Sequence, residues 1–520
     1  MASLRPSSPS LNFLRSSGVV SLLNFLSRIT GFIREMLKAR FLGTSGLADA
    51  FQLAFMIPNL FRRLTAEGVM LSTFLPIFSE VEFKEGKKGA EQFLNVLFWW
   101  LSLILIGFSG VYIFFADFFV HQVFARGFQG ETLQSAILFS RIMFGYIALI
   151  SIAALLQGVL NHHRTFWISA STPIFLNIIV IGFGCGAWLL HKNIATAFSW
   201  GVLLGGLVQV LLQLPYVFKL GYGFYCKRPF SHPYLKKMLK ISLPGVIGAG
   251  IYQIDIVISN VIASSLEEGS IASLNFSNRM LELVLGVFIV SQTTVFLPHI
   301  VQRLLEKKTK EASQELSSLM GLISFLTLPA IISMLLCANS IIRLLFENGK
   351  FNESSVQLTL QAFFFHVPGM LAIGWNRALV TIYQARKLFR LTMLFAFWTM
   401  LWNVIFALAL SKFYGNGGIA LANTMSQYFQ LLLLVFYLYK KTKIQVDWEG
   451  LFFKILPRHF FSVLAMAMGI LGAEFLKIGS LWLLFSTQIL MGGSLFFASA
   501  YFLKTKELEY ILQMLGRKRK

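Results

Sequence analysis

Apolar and polar positions divide this chain into long apolar runs separated by short charged loops. Runs of about 20 residues, the length a helix needs to cross a hydrocarbon core, recur from end to end. No stretch shows the ten-residue alternation of a membrane barrel strand. A backbone in lipid must satisfy its hydrogen bonds internally, so the pattern predicts an all-α polytopic membrane protein. Run lengths place about 14 spans, near residues 18–42, 47–78, 92–117, 133–158, 165–190, 194–218, 241–263, 270–299, 314–338, 355–384, 389–411, 417–439, 456–476 and 480–503.

Composition agrees with this and narrows it. Of 520 residues, 56% are hydrophobic and 13% charged, which excludes a soluble enzyme. A net charge of +22 would suit nucleic acid, but the basic residues gather in loops. Counting alternate loops puts roughly 28 Lys and Arg on one side and 6 on the other. By the positive-inside rule this bias predicts that both termini are cytoplasmic, and it excludes a nucleic-acid partner. The polar N-terminus lacks a small-residue cleavage site and reads as a cytoplasmic tail over residues 1–17.

The longest basic loop, 219–240, predicts a linker between an N-lobe (18–218) and a C-lobe (241–439). Two further spans follow over 440–503, then a basic tail over 504–520. Phe74-Leu75-Pro76-Ile77 and Phe296-Leu297-Pro298-His299 each precede a charged loop, an echo that suggests a parallel repeat. Cys185, Cys226 and Cys337 are scattered without metal or redox spacing and receive no role. No Walker-type loop, zinc spacing or ATP-hydrolysing domain is present, so the chain reads as a secondary-type transporter and not an enzyme. It has no cofactor beyond a coupling ion, Na⁺ or H⁺, or the membrane potential.

Charges inside apolar runs carry the candidate chemistry. The run 21–80 holds Arg28, Arg34, Glu35, Asp49, Arg62, Arg63 and Glu67. An Arg at mid-membrane depth costs roughly 2.5–3.5 kcal/mol on insertion scales, so such residues face a wet cavity or a partner. Arg28 and Arg34 lie about 9 Å and 120° apart on an ideal helix, and Glu35, seven residues from Arg28 on nearly the same face, is placed to hold the Arg28 guanidinium. Arg279 and Glu282 are one turn apart, a local pair. Arg28, Arg34, Arg62 and Arg279 together would bind an anion, since the guanidinium fork matches a diphosphate. Snorkelling and structural ion pairing are the alternatives, foremost for Arg40 and Arg63. Asp255, with Asn403 and Asn423, is a candidate ion site; hydrogen bonding of Asp255 to Gln253 or Asn260, and helix–helix bonding by the asparagines, stand beside it.

The segments Ser27-Arg28-Ile29-Thr30-Gly31-Phe32-Ile33-Arg34, Ala48-Asp49-Ala50-Phe51 and Pro58-Asn59-Leu60-Phe61-Arg62-Arg63 resemble the MurJ (MviN) family of lipid II flippases, in the MOP exporter superfamily. Ala66-Glu67-Gly68, Phe74-Leu75-Pro76, Asn278-Arg279-Met280 and Leu285-Gly286-Val287 fit the same pattern. The resemblance implies 14 helices in two MATE-like lobes around a central cationic cavity that opens alternately to either side. It implies lipid II, the undecaprenyl-diphosphate-linked peptidoglycan precursor, as cargo, a place in the bacterial inner membrane, and a part in cell-wall biogenesis and cell shape alongside other cell-wall synthesis proteins. It places the diphosphate on Arg28, Arg34, Arg62 and Arg279, gating or ion-pair roles on Glu35, Asp49, Arg63, Glu67 and Glu282, and the lipid tail in a groove formed by the last two spans. Asn278 and Ala407 stand where the family often has acids, and Arg386-Lys387-Leu388-Phe389-Arg390 departs from its pattern. Export of another polyprenyl-linked glycan or of drugs, and a scaffold for cell-wall enzymes, are the rival readings.

Overall fold

A computed structural model of the chain describes residues 11–62, 73–225, 231–306, 308–442, 444–476 and 478–516. The described residues are helical almost throughout, without a strand. They fall into two compact units, Met1–Glu268 and Gly269–Lys520. The packing boundary lies after the seventh predicted span, and the linker predicted over 219–240 lies inside the first unit.

The first unit contains α1 (Leu11–Leu42), α2 (Gly46–Arg62), α3 (Leu75–Phe114), the short α4 (Ala116–Phe118) with a π turn at Phe119–Phe124, and α5 (Gly130–Phe144). It continues through α6 (Tyr146–His162), α7 (Phe166–Leu189), α8 (Ile194–Lys219) and α9 (Pro233–Ala263). Helix α1 packs on α7, α7 on α8, and α2 on α5. Small residues let the α7–α8 backbones approach: a Cβ on Gly201 would stand 3.0 Å from Val180 Cα, and one on Gly205 3.4 Å from Leu176 Cα. Ile57, Leu105, Tyr112, Phe144 and Ile147 form a core joining α2, α3, α5 and α6, with the Tyr112 and Phe144 rings stacked 3.5 Å apart.

The second unit contains α10 (Ser270–Leu305), α11 (Thr309–Leu336), α12 (Ala338–Phe346), α13 (Glu353–His366), a 3-10 turn at Val367–Gly369, and α14 (Met370–Ala385). Then come α15 (Phe389–Thr442), a π turn at Gly450–Ile455, α16 (Leu456–Glu474), α17 (Leu481–Phe502) and α18 (Lys506–Gly516). Phe325 of α11, Met466 and Ile470 of α16, Phe496 of α17 and Leu508 of α18 form its core. The outer faces of α16 and α17, including Phe461, Leu483, Leu490 and Phe497, are exposed and apolar, as a lipid-facing pair requires.

Among the described residues, nine helical stretches are long and apolar enough to cross a membrane. Helix α2 is short at 17 residues. Conversely, α15 counts once although its 54 residues would extend about 81 Å, far more than one crossing. It breaks at Gly415 (φ 52°, ψ −132°), between the predicted spans 389–411 and 417–439. Helix α3 breaks the same way at Gly86 (φ 73°, ψ −175°). Both conformations are open only to glycine at low cost. The tripeptide echo falls in unlike settings: Pro76 is in the first turn of α3, whereas Pro298 is inside α10.

Candidate functional site

Helix α1 turns a charged face into the protein. Arg34 is 7% exposed, Glu35 1% and Lys38 3%, while Asp49 of α2 is 2% exposed. Charges this deep must be paired, because an isolated buried ion is far more costly than a buried amide. Arg34 Nη2 donates to Glu35 Oε1 at 2.8 Å, and Lys38 Nζ lies 2.6 Å from Glu35 Oε2. One carboxylate therefore bridges two cations. Arg34 Nη1 donates to Asn177 Oδ1 of α7 at 3.0 Å. The Asn177 amide nitrogen in turn donates to Ser27 O (3.2 Å) and Thr30 Oγ1 (3.1 Å) of α1, which sets the orientation of that amide.

Two phenylalanines of α2 complete the setting. The Arg34 guanidinium lies 5.7 Å from the Phe55 ring centroid and Lys38 Nζ 5.4 Å from that of Phe51. Cations over ring faces are held by the ring quadrupole. The four buried ions Arg34, Glu35, Lys38 and Asp49 sum to zero charge, with Arg34 still partly accessible.

The predicted residues separate by environment. Arg28 is exposed, and Glu35 holds Arg34 and Lys38 instead of Arg28, which corrects the pairing expected from the seven-residue spacing. The reason is reach: Arg34 and Lys38 lie one and three positions from Glu35. Arg62 ends α2, and Arg63 and Glu67 lie outside the described residues. In the second unit, Arg279 Nη1 donates to Glu282 Oε2 at 2.8 Å, both side chains being nearly two-fifths exposed. Two positions before Arg279 on α10, Ser277 bonds His366 Nδ1 of α13 at 2.9 Å.

Asp255 is half-buried on α9 of the first unit. Asn403, buried, and Asn423, half-buried, lie on either side of the Gly415 break in the second. Asn260 Nδ2 bonds its own helix at Ile256 O (2.8 Å).

Lys38 and Asn177 are not among the residues the sequence pattern singles out. Lys38 was legible as a further cation one turn beyond Arg34, and Asn177 as an amide inside an otherwise apolar run. A second polar centre lies in loop positions outside the predicted spans. There Glu82 of α3 meets His162 at the end of α6, while Tyr222, just beyond α8, donates to Glu82 Oε1 at 3.0 Å and bonds His163 Nε2 at 3.0 Å. Against the desolvation that would raise it, hydrogen bonds from His162 and Tyr222 hold the Glu82 carboxyl below its usual range. Burial, with His162 adjacent, holds His163 below the usual imidazole range. The same stretch of α3 binds the linker: Glu91 accepts from Gly223 N (3.1 Å), and Glu80 Oε2 pairs with Lys237 (2.5 Å). Asn95 donates to Gly223 O (2.7 Å) and accepts from Tyr225 N (2.8 Å).

The chain is similar in sequence and fold to known proteins. The sequence model of a family described as "Lipid II flippase MurJ" matches residues 38–492. The probable lipid II flippase MurJ of Treponema pallidum is 33% identical over 445 residues, 84% of this chain and 83% of the relative. That of Rhizobium meliloti is 35% identical over 413 residues, 78% of this chain and 77% of the relative. A solved structure titled "Lipid II flippase MurJ, inward closed conformation" superposes with a TM-score of 0.81 at 25% identity, over 93% of this chain and 98% of that one. An inward-facing multidrug resistance MATE family transporter of the MOP superfamily shares the fold, with a TM-score of 0.68 at 12% identity over 82% of this chain and 98% of that one.

Proposed function

Because this chain belongs to the lipid II flippase MurJ family, we propose that it moves lipid II across the bacterial inner membrane by alternating access, as a transporter and not an enzyme. The observation that carries the site reading is the buried Arg34, held by one carboxylate and one amide. A diphosphate presents paired anionic oxygens, and a guanidinium meets them with two parallel charge-assisted hydrogen bonds. In this reading Arg34, with Arg28, Arg62 and Arg279, holds the diphosphate while the prenyl tail stays in lipid along α16 and α17.

Lys38 gives this site a way to release its arginine. Removing one partner from a buried ion pair costs about 3–5 kcal/mol when a charge is left uncompensated. When the diphosphate takes Arg34, Glu35 stays paired with Lys38, so that penalty is avoided. Asn177 keeps the guanidinium aimed in either state. Asp49, Arg63, Glu67 and Glu282 serve as gating or ion-pair positions. Transport is of secondary type, driven by the membrane potential or by Na⁺ or H⁺, with Asp255, Asn403 and Asn423 as the candidate ion ligands. The charge bias of the loops supports cytoplasmic termini.

Complementation tests both function and site. A bacterium depleted of its own flippase receives wild-type or Arg34→Ala chains at matched membrane levels. Rescue by wild type alone is the expected result. Rescue by both would remove Arg34 from the cargo site, and failure of both at good membrane levels would point to a different polyprenyl diphosphate.

A further inference from the structure

We propose that Glu82, His162 and His163 form a binding site for a divalent transition metal of the zinc class at the loop end of the first unit. Two imidazoles and a carboxylate are a donor set that zinc accepts, with the fourth position left to water or to the Tyr222 oxygen. One ligand atom from each of the three residues lies within 4.8 Å of the others. Donors on a zinc tetrahedron with bonds of about 2.1 Å stand about 3.4 Å apart, so closure needs only modest side-chain rotation.

The contacts point the same way. Ser79 Oγ lies 3.0 Å from His162 Nδ1, and the other ring nitrogen, Nε2, faces the Glu82 carboxylate. A hydrogen bond there joins His162 and Glu82 alone. A metal uses the neighbouring imidazole of His163 as well, whose ring centroid is 4.9 Å from that of His162. Ser79 supplies the outer hydrogen bond that orients a metal-binding imidazole. Bound metal would join α3 to the α6–α7 corner, and Tyr222 extends that hold to the start of the linker.

The test is a cobalt titration of the full chain in detergent, its purification tag removed. Expected is a single equivalent of Co²⁺ with visible ligand-field absorption, displaced by Zn²⁺. His162→Ala and His163→Ala should each weaken binding by at least about 100-fold, the upper range for losing even an outer partner. His191→Ala, on an exposed corner, should leave binding unchanged. Size-exclusion profiles and a His163→Gln variant separate ligand loss from misfolding. Absence of cobalt absorption by the wild type, or undiminished binding by a folded His163→Gln, would overturn the site and leave the contact to a proton on His162.

Discussion

Glu35 lies between two cations, and substitution separates what each one does. Glu35→Gln leaves Arg34 and Lys38 buried without their shared carboxylate, and should lower stability by about 3–5 kcal/mol, read as a large fall in the thermal midpoint in detergent. Lys38→Met should behave differently. Its Glu35–Arg34 pair survives, so the protein should reach the membrane at near-normal levels. Flipping should fall, because the carboxylate then competes with the diphosphate for Arg34, and Lys38→Arg should restore it. Full complementation by Lys38→Met would remove the release role. At this scale the sequence placed Arg34 and Glu35 inside an apolar run but did not say whom they bond. Asn177 is 143 positions from Arg34, and only the packing of α7 on α1 brings it within 3.0 Å.

Two glycines of the long α3 make opposite demands. Gly86 has φ 73° with nothing within 4 Å of a Cβ, whereas Gly107 lies within regular helix and is equally open. Gly86→Ala should therefore destabilise by about 1–3 kcal/mol through the backbone alone. Gly107→Ala should be neutral or stabilise by roughly 0.5–1 kcal/mol. Thermal midpoints of the two variants check this, and equal shifts would refute the backbone argument. Apolar run length located α7, α8, α16 and α17 to within a few residues, because crossing a bilayer demands a minimum run. It located breaks poorly. The predicted span 133–158 is divided between α5 and α6, and 355–384 between α13 and α14 by the Val367–Gly369 turn, since local bends hardly alter average hydropathy.

For the whole molecule, the loop charge bias makes an orientation prediction that side-chain geometry cannot make. A reporter fused after Lys520 should be active in its cytoplasmic form and silent in its periplasmic form; the reverse would overturn the topology. The linker illustrates the other limit. Its basic composition marked it as a cytoplasmic loop, yet its bonds to Glu80, Glu82, Glu91 and Asn95 of α3 depend on how α3, α8 and α9 pack. What the sequence determined alone was an all-helical, multi-span membrane chain and which charges fall inside its apolar runs. Lipid admits few backbone solutions, and each apolar run must be long enough to cross it. Tertiary structure decided the pairings: Glu35 with Arg34 and Lys38, Asn177 with Arg34, Tyr222 with Glu82. Those depend on the rotation of each helix against its neighbours, which spacing along one chain does not encode.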